Sequence, residues 1–381
     1  VQMEFGPIFR ALMRNKTGAI LIALQIAFTM TVSLNAWVMI ENRTERASRP
    51  SGMNETDTFH LESYGYASNF NARVTVENDL RQLRDLDGIV SAVQMNAIPL
   101  SGSGWSTSAR LSPDEKSPAF GTASYFGDER GIETLGTHLI AGENFTESDV
   151  TWRAPNTDDW PPKTIVTRAL AAALFPNEDP LAIVGRSIIV GDAPKTIVGI
   201  IDKLQMPWGG NNNVEHSLLR PQRMEEKSTR YLIRAQPGQR DLMMAQVEAM
   251  LLASNPERII RNLESMEDTR KRSYSLDVGL SKVLGFVMVV LLLITGFGIL
   301  GLASFSVRRR IKQIGVRRAL GARQADIKRY FLVENLLITG AGVILGAFMT
   351  VGFNIWLVQL MNFPKIEWYG IPLGVVLLIA L

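Results

Sequence analysis

The sequence predicts an α-helical transmembrane protein with four spans, one before and three after a large α+β extracytoplasmic domain built in two lobes. Three observations carry that prediction. Charge is absent from four stretches: Thr17–Ile40 (24 residues), Val283–Val307 (25), Asn335–Pro364 (30) and Trp368–Leu381 (14). A bilayer's hydrocarbon core, ~30 Å thick, needs about 20 apolar helical residues, so the first three can each cross it. Residues 308–329 hold nine Lys or Arg side chains against one acid, Asp326, and a short loop this basic stays cytoplasmic. The long segment between the first two runs mixes strand-like and helical patterns, as α+β domains do.

Taken in order, residues 1–17 form a cytoplasmic N-terminal helix and 18–40 the first span. This run is longer than the roughly 7–15 apolar residues of a cleaved signal peptide, and it leaves the membrane through Trp37, Val38, Met39 and Ile40, so it reads as a retained anchor. Counting spans back from the basic loop puts 41–282 outside. A helix is expected at 75–86, with Leu80, Leu83 and Leu86 at helical spacing and Gly88 closing it. Strands are expected at 89–95 and 119–125, and at 186–191 and 195–201 as a hairpin turning through Asp192, Ala193 and Pro194. A further strand at 231–235 precedes a helix at about 240–253. Residues 203–229, with WGGNNN at 208–213, read as an exposed irregular loop. Span two follows at 283–307, a cytoplasmic elbow at 308–329, span three at 330–361 and a short periplasmic loop at 362–369. Residues 370–381 read as the start of a fourth span that continues past the last residue.

Composition narrows the function. The 381 residues contain no cysteine, which excludes a disulfide scaffold, thiol catalysis and thiolate zinc sites. The formal charge of +3 hides a division: 41–282 carry 27 basic and 33 acidic side chains, and the remainder carry 13 and 4. The basic surplus therefore lines the cytoplasmic rim, where it anchors topology and meets anionic lipid. Nucleic acid is not an expected partner. His60, His138 and His216 lie far apart, no serine sits in G-x-S-x-G, and acid pairs such as Asp158 and Asp159 suit solvated loops. No catalytic residue and no metal site is expected.

Within the spans, Gly296, Gly298 and Gly301 match G-x-G-x-x-G in form alone, because no strand precedes them and arginines follow. They and the GxxxG pair Gly342 and Gly346 read as helix-packing sites, within the chain or across a dimer. Gln25, Asn35, Glu334 and Asn335 are polar groups in apolar surroundings. An intramembrane carboxylate is a functional candidate by default; a coupling role and a structural ion pair for Glu334 stand level, with Arg329 within ~8 Å along the helix. The elbow RRRIKQIGVRRALGAR (308–323) continues span two as a charged helix, with Ile311, Ile314 and Leu320 on one side and Gly321 at the helix C′ position. A rigid elbow of this kind can pass motion between a cytoplasmic partner and the membrane; a plain positive-inside loop is the alternative.

At the elbow the chain resembles the MacB/FtsX family of ABC transporter permeases. The resemblance rests on Ile314, Gly315, Val316, Arg317, Arg318, Ala319, Leu320, Gly321 and Ala322, then Asp326, Ile327, Glu334, Asn335, Leu336 and Leu337. Gln313 stands where the family usually has Glu. Residues 125–149 and 165–201 also resemble the MacB-like periplasmic core domain. The resemblance implies a permease subunit of the bacterial inner membrane that works as a dimer with a second or related copy. Its elbow (Arg308, Arg309, Arg310, Gly315, Arg317, Arg318, Gly321, Ala322, Arg323, Asp326), with the helix near 5–16, would dock on a cytoplasmic ABC ATPase. The 381 residues contain no G-x-x-x-x-G-K-[ST], the loop and lysine that cradle phosphate. ATP and Mg are thus expected on a separate ATPase polypeptide and no cofactor on this chain. A periplasmic adaptor and an outer-membrane channel are further partners the resemblance implies. Efflux of peptides, antibiotics or other amphiphiles is the leading expectation; the alternative is a lipoprotein-releasing or cell-wall-regulating complex of the same family.

Overall fold

The computed structural model describes residues 16–114, 116–361, 363–367 and 369–380. The expected N-terminal helix at 1–17 falls almost wholly outside the described residues. The helices are α1 (Lys16–Ser48), α2 (Ala72–Asp85), α3 (Gly131–Leu135), α4 (Arg168–Leu174), α5 (Pro180–Ile183), α6 (Arg240–Ser254), α7 (Met266–Ser273), α8 (Ser275–Arg309), α9 (Ile311–Ala319), α10 (Gln324–Met361) and α11 (Gly370–Ala380). The strands are β1 (Thr58–Gly65), β2 (Ile89–Met95), β3 (Ser106–Arg110), β4 (Phe120–Gly127), β5 (Leu139–Gly142), β6 (Thr151–Arg153), β7 (Lys163–Thr167), β8 (Ser187–Val190), β9 (Ala193–Ile201), β10 (Ser217–Met224), β11 (Ser228–Ala235) and β12 (Arg258–Ser265). The chain divides into two units, 48–276 and the helical remainder.

In the α+β unit, β12-β1-β11-β2 form an antiparallel sheet. Val76, Leu80 and Leu83 recur at four and three residues along α2, and Met243, Val247 and Leu251 at four along α6. Each set makes one apolar stripe, and both pack with Phe59, Leu61, Tyr231 and Ile233 of the sheet. Asn71 caps α2, its side chain accepting from the Val74 N–H at 3.1 Å. One charge, Asp79, is buried on the α2 stripe. It accepts from the Tyr231 hydroxyl at 2.7 Å and from both terminal nitrogens of Arg258 at 2.5 and 2.9 Å, so the carboxylate is satisfied where water cannot reach it.

The second sheet follows the order β4-β3-β8-β9-β7-β10-β6, with β5 on β9; β10 also pairs with β4, which closes six strands into a ring. The expected hairpin is β8 and β9, in register from Val190 opposite Ala193. The loop expected across 203–229 is corrected here. Residues 217–224 form β10, which pairs with β4, β6 and β7 and buries seven of its eight residues. Arg220, Pro221 and Gln222 give SLLRPQRM no apolar alternation, and a proline ordinarily demotes a strand reading. Tertiary pairing overrides that local signal.

In the helical unit, α1, α8 and α10 are long and apolar enough to cross a membrane. The described part of α11, Gly370–Ala380, is 11 residues long. Ile26, Met30 and Leu34 of α1 pack with Val343 of α10 at the centre of this unit.

Candidate functional site

The helix leaving the second apolar run does not continue through the elbow as expected. It breaks at Arg310, which leaves helical geometry (φ −109°, ψ 13°) between α8 and α9. The Arg310 side chain is held fast at this break. Its guanidinium donates to both Glu334 oxygens at 2.9 and 3.1 Å and to the Tyr330 hydroxyl at 3.1 Å. A forked guanidinium matches a carboxylate's two oxygens and fixes orientation as well as charge. Glu334 is buried, and its partner is Arg310 rather than the sequence neighbour Arg329. The Arg310 and Arg317 guanidiniums also lie 5.8 and 5.3 Å from the Tyr330 ring, within cation–π range.

Both ends of the remaining elbow are capped. At the end of α9 the Gly321 N–H donates to Arg318 O at 3.1 Å and the Ala322 N–H to Arg317 O at 3.0 Å. That is the paired pattern of a Schellman cap. Gly321 adopts φ +95°, a conformation open to glycine at no steric cost. Asp326 then reaches back to accept from the Arg323 N–H at 3.1 Å, which covers an orphan donor and sets negative charge at the start of α10. Arg308, Arg309, Gly315, Arg317, Arg318 and Arg323 are exposed, as are Ile311, Val316 and Leu320 at 62, 59 and 83%. The elbow therefore offers basic and apolar side chains together on a backbone tied at three points. Asn335 is half-buried beside Glu334.

The glycines separate into two groups. A Cβ on Gly342 would come within 2.8 Å of Ala23 O, and one on Gly346 within 3.0 Å of Ala27 and Met30; this pair seats α10 against α1. A Cβ on Gly298 would meet Gln25 at 2.8 Å. Gln25 Nε2 donates to Ile294 O at 3.1 Å, and the Thr29 and Thr295 hydroxyls meet at 2.7 Å. Gly296 is half-buried. A Cβ on Gly301 would meet nothing within 4 Å among the described residues. Asn354, which the reading of the sequence passed over, donates to Asn35 Oδ1 at 3.1 Å and ties α10 to α1. Its signal was available: an amide in an apolar run must find a partner in lipid.

A large α+β domain carried on apolar helices, with a capped basic turn between two of them, is the build of a polytopic membrane permease. The sequence profile of the MacB-like periplasmic core domain matches residues 17–250, and that of the FtsX-like permease C-terminal region matches 285–381. The chain belongs to the MacB/FtsX-like family of ABC transporter permeases. It is 26% identical over 223 residues to the macrolide export ATP-binding/permease protein MacB of Chromobacterium violaceum, covering 58% of this chain and 33% of that protein. It is 31% identical over 188 residues to the MacB of Bradyrhizobium diazoefficiens, covering 47% and 28%. For a MacB of Yersinia pestis the figures are 26% over 285 residues, covering 72% and 40%. The chain thus spans between about a quarter and two fifths of these relatives' length. Among solved structures, the periplasmic region of MacB from Actinobacillus actinomycetemcomitans aligns at a TM-score of 0.36 and 15% identity, covering 61% of this chain and 98% of that one.

Proposed function

We propose that this chain is the permease part of an ATP-driven exporter in the bacterial inner membrane, and that the elbow at 308–329 receives the force. In this reading the exposed arginines and Ile311, Val316 and Leu320 dock on a cytoplasmic ABC ATPase that lies outside these 381 residues and binds ATP and Mg. Nucleotide-driven closure moves the elbow, and the helices carry that motion to the periplasmic domain. The observation that supports it best is the tethering of the elbow: a Schellman cap at one end, Asp326 at the other, and the Arg310–Glu334 fork between two apolar helices. A turn held this way moves as one body, whereas a flexible loop would absorb the push.

The transporter works as a dimer with a second or related permease copy. The uncovered faces of Phe286, Phe297 and Leu300 on α8, 69, 70 and 63% exposed, suit that contact or lipid. Residues 370–381 begin the fourth span, with 41–282 in the periplasm, where an adaptor and an outer-membrane channel complete the route. The macrolide-export names of the relatives favour efflux of antibiotics, peptides or similar amphiphiles over lipoprotein release. The test is ATP hydrolysis by the complex reconstituted in proteoliposomes while candidate amphiphiles are added. Stimulation by macrolides or cationic peptides supports export. Stimulation by lipoproteins alone would replace it with extraction, and indifference to every candidate would remove the export reading.

A further inference from the structure

Three strands of the α+β unit bring three cations together without a counter-ion. Arg153 ends β6, Lys195 lies on β9 and Arg220 on β10, and they are 8, 4 and 4% exposed. Among the described residues no carboxylate lies within ion-pair distance of any of them, while the neighbouring cations Lys163 and Arg223 hold Asp149 and Asp128 at 2.6 Å. Buried charges are ordinarily paired. Here aromatic rings take that place: the Arg153 guanidinium lies 5.2 Å from the Trp105 ring and 4.5 Å from the Trp160 ring, and the Arg220 guanidinium lies 4.5 Å from the Trp160 ring. The Nε atoms of both arginines and Oε1 of Gln222 are buried without a hydrogen-bond partner.

The segment between β6 and β7 closes over this cluster with neutral oxygens only. Thr157 O accepts from Arg153 at 2.7 Å and Trp160 O from the Lys195 ammonium at 3.0 Å. Asp159 uses its backbone carbonyl, on Gln222 at 2.8 Å, and its side chain is exposed. Arg220 is pushed down to about 10, by burial first and by Arg153 second. Lys195 is lowered by burial and then by Arg220, with Asp159 pulling the other way. The cations thus repel one another in a covered place. A ligand that brought negative oxygen there would turn contacts charged on the donor side alone into ion-paired hydrogen bonds and would offset the repulsion among the cations.

We propose that Arg153, Lys195 and Arg220 form a receptor for an oxyanion, a phosphate or a carboxylate, on a ligand whose apolar or aromatic body rests against Trp105. Trp105 is 37% exposed and lies edge to face with Phe126 at 5.3 Å, so it leads from the surface to the arginines. Binding requires the Thr157 and Trp160 carbonyls to yield to the incoming oxygens. The site shares no residue with the elbow, and it does not depend on the export reading.

The experiment is calorimetric titration of the full chain in detergent micelles at pH 7 with inorganic phosphate, phenyl phosphate, acetate and benzoate, against sodium chloride at matched ionic strength. Saturable binding of phenyl phosphate or benzoate, tighter than of inorganic phosphate or acetate, is expected. It should weaken at least tenfold in Arg220→Met and remain unchanged in Lys163→Met, whose ammonium is already paired. Phosphate-selective and carboxylate-selective outcomes name the source, and either supports the site. Equal heats for chloride and the four probes, or equal affinity in Arg220→Met and the unmodified chain, would overturn it. Should Arg220→Met fail to fold, Lys195→Met makes the same comparison, and unchanged affinity there also overturns the proposal.

Discussion

A single arginine stands where the elbow leaves the long apolar helix α8. Arg310 sits where α8 stops, and its fork onto Glu334 spans 24 residues of sequence. Removing one partner of a buried pair costs more than removing both, because the survivor is left charged and alone. Arg310→Met and Glu334→Gln should therefore each lower the melting temperature of the full chain, and the double variant should cost less than the sum. The coupling energy expected from a double-mutant cycle is about 0.5–3 kcal/mol; strict additivity would show that the pair is not formed in the membrane. The sequence pointed to Glu334 but not to its partner. Arg329 is near in number, yet five residues rotate it ~140° away around a helix, while Tyr330, four before Glu334, shares its face. His60 carries the other residue-scale prediction. Burial above all, with Arg272 and Arg230 adding and Glu62 opposing, lowers it from 6.5 to about 4; Glu264 lies 3.8 Å away and is itself paired with Arg272 at 2.6 Å. The folded value lies below the unfolded one, so the unfolded chain takes the proton first. Stability is full above pH 6.5 and falls as pH drops towards 4, by about 3 kcal/mol from this group. Urea melts across that window should flatten by this amount in His60→Gln; an unchanged acid limb would show that His60 titrates normally.

At the scale of elements, the GxxxG pair makes a prediction that separates the glycines. Gly342→Val drives new atoms into Ala23 O and Ile26 of α1, and overpacking of this kind costs about 1–3 kcal/mol. A Cβ at Gly301 meets nothing within 4 Å among the described residues, so detergent-solubilised Gly301→Val monomer should melt nearly as before. Equal losses from both substitutions would mean that α10 does not seat on α1 through these glycines. Periodic elements were legible in the sequence. The Leu80 and Leu83 spacing of α2 and the β8–β9 hairpin rest on local patterns, helical periodicity or a turn-rich linker, that survive in isolation. β10 was not legible. It is buried by strands on both sides, so it needs no polar face, and its arginine and proline hide it in a window that reads as loop. The cation cluster was hidden for a related reason: Arg153, Lys195 and Arg220 are 67 residues apart end to end and meet only because β6, β9 and β10 share a sheet.

For the whole molecule, the distribution of charge was more informative than its total. Uncharged runs placed three helices that are long and apolar enough to cross a membrane, and the motif at 314–322 fell within the region matched by the FtsX-like profile. What a permease of this family handles was not legible here, because recognition depends on side chains brought together across strands, and spacing along one chain does not encode that. Topology is tested by a reporter fused near residue 210, which should be active only outside the cytoplasm; activity inside would reverse the orientation. The central claim is that force enters at the elbow. Its most direct test is ATP hydrolysis by the assembled transporter carrying Arg317→Glu and Arg318→Glu, with membrane insertion followed by the same reporter. The account predicts normal insertion and loss of substrate-stimulated hydrolysis; full stimulation with both charges reversed would contradict it.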